Sequence, residues 1–241
     1  MDSILVIFAW MGIPPFGSRN KLVHRILEPE LMTDAVQCQA YAAADFAWSN
    51  QAFVEIVQDL IEPDATILDL GCGPADVMIR LALARPLLNI TAVDGSPAMI
   101  QLATEAIAAC GLTERISAIE GYIPGLPLRD GTFDAVLSKD FLHHLPDPSV
   151  LWLEIRRLVK PRGRICVMDL RRPESPEAAR AIVDRVARNE PDVLQFDFFN
   201  SLCAAFTPDE IREQLQAAEL ELTVTEYGDR HVLIQGIAGL C

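Results

Sequence analysis

Three groups of residues carry the chemistry this chain can do. The first is Asp69-Leu70-Gly71-Cys72-Gly73, an acid two residues before a pair of glycines. Glycine has no Cβ, so such a turn reaches left-handed backbone angles and lets a ligand lie against the main chain. The acid would repel a diphosphate and welcome an ammonium or sulfonium, so a cation-bearing nucleoside suits the turn better than a dinucleotide. The second is Asp94, 25 residues beyond Asp69 and followed by Gly95 and Ser96. A carboxylate at a strand end accepts hydrogen bonds from both vicinal hydroxyls of a ribose. The third is Asp140-Phe141-Leu142-His143-His144. A histidine titrating near neutrality is the natural group to take a proton from a hydroxyl or an activated carbon.

These residues need a scaffold, and its elements are legible around them. Residues 66–70 read as a strand, and a helical apolar pattern begins after Pro74, a residue suited to a first helical turn. The unpaired N–H groups of that helix would face whatever fills the crevice above the strand ends. The dinucleotide spacing G-x-G-x-x-G would put a third glycine at 76, where Asp76 stands. NITAVD (89–94) reads as a second strand, 97–110 as a helix stopped by Gly111, 115–119 as a third strand and TFDAVLSK (132–139) as a fourth. A helix over 148–159 and a turn through Lys160-Pro161-Arg162-Gly163 lead into a fifth strand, 164–170. Strands over 220–226 and 230–235, joined by Tyr227-Gly228-Asp229, close the chain as an antiparallel hairpin. Upstream, a short helix and linker are expected within 21–32, and helical spacing over 35–61, with Ser49 or Asn50 capping a helix that starts at 51.

The chain resembles the class I S-adenosylmethionine-dependent methyltransferases over residues 46–236, most specifically over 67–170. Asp69, Gly71 and Gly73 match the acid-x-Gly-x-Gly turn of that family, and DFLHHLPDP and EIRRLVKPRGRICVMDL match its later segments. The resemblance implies an α/β fold with a seven-stranded, mostly parallel Rossmann-like sheet, an antiparallel last strand and a helical cap. It implies S-adenosyl-L-methionine as cofactor, S-adenosyl-L-homocysteine as product and a small organic acceptor. Cofactor contacts carry over to Asp69, Gly71, Cys72 and Gly73, to Asp94 on the ribose with Gly95 and Ser96, and to Met99 on the adenine. Main-chain groups of Ser138 and Lys139 would meet the methionine part, and Tyr41 or Phe46 would fold over the cofactor. Gly121 and Ile123 flank an adenine-binding position where the family often has an acid and this chain has Tyr122, which leaves the amino-group partner open. His144, His143, Asp140 and Asp169 are the catalytic candidates, a loop-structuring role being the alternative for the histidines. Cys72 reads as a small side chain packed below the loop in preference to a reactive thiol.

Composition narrows the setting. The 241 residues suit one α/β domain with a small cap: 1–50 as an N-terminal extension with cap helices, 51–241 as the methyltransferase domain, and an insertion near 171–206. That insertion holds a helix over 175–188 and Phe196, Phe198, Phe199 and Phe206, before Thr207-Pro208-Asp209-Glu210 caps another helix. It reads as a lid over the acceptor, or as a hydrophobic brace or homodimer surface. A net charge of −14 opposes a phosphate-tracking groove, so nucleic acid is not the expected substrate, a local basic patch apart. The six cysteines are scattered, without zinc spacing, as in a reduced cytoplasmic protein, and no metal is expected. The apolar run 4–11 is far shorter than the about 20 residues that span a bilayer, and Asp2 stands where a secretory signal would be basic. Met11 and Met32 are alternative starts. Two rivals remain on the sequence: a cofactor-binding protein with other chemistry or a sensing role, and a nicotinamide dehydrogenase, which Asp69, Asp76 and the terminal hairpin disfavour.

Overall fold

Alternation of apolar residues sets the architecture, because successive strand residues point to opposite faces. In the computed structural model, which describes residues 24–28, 38, 39, 41, 42, 44 and 46–239, the central strands are buried on both faces and the edge strands are partly exposed. The elements run α1 (Ala47–Leu60), β1 (Thr66–Leu70), α2 (Asp76–Ala84), β2 (Asn89–Asp94), α3 (Pro97–Ala109), β3 (Ile116–Glu120) and β4 (Phe133–Lys139). A single helical turn, Leu142–His144, precedes α4 (Ser149–Leu158), β5 (Val159–Leu170), α5 (Pro176–Val186), α6 (Asp192–Ala204), α7 (Pro208–Ala217), β6 (Thr223–Tyr227) and β7 (His231–Ile237).

The strands form one sheet in the order β3-β2-β1-β4-β5-β7-β6, parallel except for β7, which runs antiparallel to both neighbours. Ile67, Ala92, Leu137 and Met168 face α1, α2 and α3 through Phe53, Met78 and Ile107. Leu68, Val93, Val136 and Val167 face α4 and α7 through Trp152, Ile155 and Ile211. A third cluster joins Leu170 to α5 and α6 through Val183 and Leu202. The strand order reverses between β1 and β4, and there the carboxyl ends of the strands open a crevice. Asp69, Asp94, Lys139 and Asp169 all lie at those ends.

Several local expectations need correction. Ser49 and Asn50 lie inside α1, which begins at Ala47; the Ser49 hydroxyl donates back to the Phe46 carbonyl, and Asn50 donates to Asp76 at 2.8 Å. Pro74 precedes α2, whose N-cap is Ala75 in a left-handed conformation at φ 64°. Strand five is longer than expected because the Lys160–Gly163 turn is absorbed as an irregularity against β4, with Arg162 at φ 64°. The helix expected over 175–188 is Pro176–Val186, capped by the Ser175 side chain, and α6 was not foreseen as a helix. Residues 24–28 have no regular secondary structure, and the rest of 21–32, where a short helix and a linker are expected, lies outside the described residues. The apolar run 4–11, Met11 and Met32 lie outside the described residues. Among the described residues no helix is long and apolar enough to cross a membrane.

Candidate functional site

A cavity of about 660 Å³ opens above the carboxyl ends of β1, β2 and β4. That is within the usual size of small-ligand sites. One end is apolar, between Ile79 of α2 and Met99, Leu102 and Ala106 of α3; the other carries Asp69, Lys139, Asp140, His144 and Tyr41.

The glycine turn forms its floor. Gly71 and Cys72 donate to the Val93 carbonyl at 2.9 and 3.0 Å, which folds the turn over β2. Gly71 sits at φ 79°, and a Cβ there would fall 2.4 Å from Cγ of Phe141. What presses on Gly71 is therefore a side chain of the β4 loop. Gly73, at φ 51°, has nothing within 4 Å of a built Cβ and presents open main chain to the cavity.

Asp94 braces this floor. Its Oδ2 accepts from the Gly73 N–H and its Oδ1 from the Ser96 N–H, both at 2.8 Å. Each oxygen keeps a lone pair for a further donor. Burial raises its pKa against the pull of those amides. Asp69 is 4% exposed, and burial, with Asp94 nearby, pushes its carboxyl up to about 7 despite Lys139. A buried carboxylate so raised is poised to gain from an incoming cation.

At the polar end, Asp140 adopts φ 53° and pairs with Lys139. Burial alone would raise its carboxyl, but Lys139 and His231 hold it at about 2. Its Oδ1 is buried without a hydrogen-bond donor among the described residues, His231 Nε2 lying 3.9 Å away. Tyr41 lines the cavity against Phe46, ring centroids 4.8 Å apart. Burial and the surrounding carboxylates hold its hydroxyl protonated well beyond its ordinary range.

The two histidines occupy different surroundings. His143 is 3% exposed, and its Nδ1 lies 2.7 Å from Asp169 Oδ1. Asp169 Oδ2 accepts from the N–H groups of Phe141 and Leu142 at 2.9 and 2.7 Å, so this carboxylate holds the whole turn. Burial disfavours protonation of His143, yet Asp169 outweighs it and raises the pKa. His144 lines the cavity, and its Nδ1 is 2.6 Å from Glu28 Oε2. Glu28, which touches this wall residue from outside the cavity lining, was not singled out from the sequence.

The structure thus brings Tyr41, Asp69, Gly71, Cys72, Gly73, Asp94, Ser96, Met99, Lys139, Asp140 and His144 to one cavity wall. His143 and Asp169 stand behind it, buried, and the fully buried Ser138 donates its hydroxyl to the Leu70 carbonyl at 2.8 Å. Gly95, Gly121, Tyr122 and Ile123 are not on the wall; Tyr122 is 57% exposed, and Gly121 donates to the Asp94 carbonyl at 3.0 Å. A Cβ on Gly121 would strike Leu126 at 2.5 Å, a packing reason for that glycine.

Comparison with known proteins agrees with this geometry. Residues 68–167 match the family described as Methyltransferase domain. Those residues carry a methyltransferase domain. The chain is 31% identical over 131 residues to the demethylmenaquinone methyltransferase of Lactiplantibacillus plantarum, covering 54% of each chain. It is 28% identical over 165 residues to a ubiquinone biosynthesis O-methyltransferase of Xanthomonas campestris pv. campestris, covering 66% of this chain and 64% of that one. It therefore spans about half to two thirds of the length of these curated relatives. Among solved structures, a SAM-dependent methyltransferase from Aquifex aeolicus superposes with a TM-score of 0.65 at 17% identity, over 85% of this chain and 98% of that one.

Proposed function

We propose that this methyltransferase binds S-adenosyl-L-methionine in the cavity above β1 and β2 and methylates a small organic acceptor at the His144 end. The observation that carries the reading is the convergence of Asp69, Asp94, the open face of Gly73 and His144 on one cavity. The residues fit the cofactor part by part. Met99 and Leu102 offer an apolar slot for adenine, Asp94 retains lone pairs for ribose hydroxyls, and Asp69 offers an anion to the ammonium or sulfonium.

When bound, the cofactor supplies an electrophilic methyl group on a neutral leaving group. The protein must therefore orient donor and acceptor and keep water out. Asp94 does so by locking the Gly73 and Ser96 amides before any ligand arrives. Phe141, wedged on Gly71, ties the floor of the donor site to the loop that faces the acceptor. His144 is the imidazole on the wall, a group able to take a proton from a hydroxyl or acidic carbon. His143, held at Nδ1 by Asp169, shapes the turn that presents it. The quinone-pathway relatives carry the word O-methyltransferase or methylate demethylmenaquinone by name, which supports an aromatic hydroxyl or ring carbon as acceptor.

The test is transfer of labelled methyl from S-adenosyl-L-methionine into a panel of phenols, hydroxyquinones and amines, with S-adenosyl-L-homocysteine quantified. Asp94→Ala should weaken cofactor binding about 10- to 100-fold, the loss of one or two charge-assisted hydrogen bonds. Unchanged affinity in that variant removes the ribose assignment. Tight cofactor binding with no methylated product across the panel would move the reading to a cofactor sensor.

A further inference from the structure

Residues 24–28 cross the turn that carries the two histidines. Arg25 fastens them: Nε donates to the Ala204 carbonyl at 2.6 Å, one terminal nitrogen donates to the carbonyls of His143 and Leu145 at 2.8 Å each, and the guanidinium lies 3.8 Å over the Phe206 ring. The Ile26 N–H donates to the Cys203 carbonyl at 3.1 Å. So tied to both the turn and α6, the segment delivers the Glu28 side chain, 10% exposed, to His144. Its Oε2 meets His144 Nδ1 at 2.6 Å, and its Oε1 accepts from the Ser201 hydroxyl. Burial works to raise the Glu28 pKa, but His144, His143 and Ser201 outweigh it and hold the carboxyl below its ordinary value.

We propose that Glu28 is a positioning residue that completes a carboxylate–imidazole dyad with His144, the N-terminal segment thereby supplying half of the acceptor-side proton machinery. This rests on the methyl-transfer reading above. With Glu28 accepting a hydrogen bond from Nδ1–H, the ring's lone pair is confined to Nε2. When an acceptor hydroxyl gives up its proton, the O–H bond breaks, its electron pair stays on the oxygen and a new N–H bond forms at Nε2. Glu28 stays ionised and balances the imidazolium, and the proton leaves later to water.

A cation site is the competing use of these groups, since ligand atoms of Glu28, His143 and His144 lie within 4.8 Å of one another. The geometry speaks against it. The two imidazoles pack against each other in a tilted contact, centroids 4.1 Å apart with 38° between their planes, which is how rings meet in packing. His143 Nδ1 is also taken by Asp169.

The deciding experiment is histidine ¹⁵N spectroscopy on the full chain at neutral to mildly basic pH, in wild type, Glu28→Gln and Glu28→Asp. The expected result is a His144 ring held as the Nδ1–H tautomer in wild type, a mixed or Nε2–H ring in Glu28→Gln and partial recovery in Glu28→Asp. With a hydroxyl acceptor, Glu28→Gln should lose about 10- to 100-fold in kcat, general-base assistance being worth that much or more. KM and calorimetric cofactor affinity should stay near wild type. A His144 tautomer indifferent to Glu28→Gln overturns the dyad. So does stoichiometric Zn²⁺ binding that perturbs both His143 and His144 in wild type and is lost in Glu28→Gln. Because the tautomer is read without turnover, failure of the dyad and failure of methyl transfer are separate results.

Discussion

Gly71 and Gly73 are two residues apart and do opposite jobs. Gly71→Ala drives a methyl group into the Phe141 ring at a left-handed φ, and we expect a loss of about 2 kcal/mol or more in chemical denaturation. Gly73→Ala meets only open space, so it should cost about 1 kcal/mol for its backbone angle while reducing cofactor affinity at least tenfold by calorimetry. Asp69 gives the pH dependence. Its folded value of about 7 lies above the ordinary value of 3.8, so the ionised carboxylate disfavours the empty fold. Stability of the empty protein should therefore rise as pH falls from about 7 towards 4, and this contribution is constant above 7. A cation favours the ionised form, so cofactor binding releases a proton below pH 7. Affinity should climb with pH by up to about tenfold per unit and level off above 7. Calorimetry in buffers of differing ionisation enthalpy measures that proton, and pH-independent binding would contradict the pairing. That Asp69, Gly73 and Asp94 meet at one cavity was legible in the sequence because short local spacings put them at a strand end and its turn. Glu28 was not, since its partner His144 lies 116 positions away and no local pattern links them.

Elements with a one-sided apolar stripe or explicit end signals were read well. In α7 the Thr207 side chain accepts from the Glu210 N–H while Glu210 accepts from the Thr207 N–H, the reciprocal cap that the T-P-D-E text announces. Thr207→Ala should cost about 1 kcal/mol, seen as a fall of about 2–4 °C in melting temperature with cofactor affinity unchanged. The helix α6 escaped notice for the opposite reason. In DVLQFDFFNSLCA large apolar residues fall on every side, Leu194 and Leu202 buried but Phe196 49% exposed, so no helical period stands out. Ser49 and Asn50 look like cap residues, yet α1 runs through them because Asn50 is recruited to Asp76 and Arg80 holds the same carboxylate at 2.7 Å. Tertiary partners there override a local signal.

At the scale of the molecule, the topology follows from the strand text: parallel strands buried on both faces need helices between them, and two consecutive strands at the chain end make a hairpin. A ligand that binds only the folded state stabilises it by about 2.7 kcal/mol at one hundred times its Kd. S-adenosyl-L-methionine at that ratio should raise the melting temperature by about 5–10 °C, and a nicotinamide dinucleotide should leave it where it was. Equal shifts with both would count against the cation-selective floor.

The wedge of Phe141 beneath Gly71 makes the two halves of the crevice mechanically inseparable. Phe141 shares a five-residue stretch with His143 and His144, the stretch a protein engineer would randomise to widen the range of molecules accepted. Libraries built there should therefore lose nucleoside retention whenever the aromatic ring is replaced, and diversification that spares position 141 should recover more working clones.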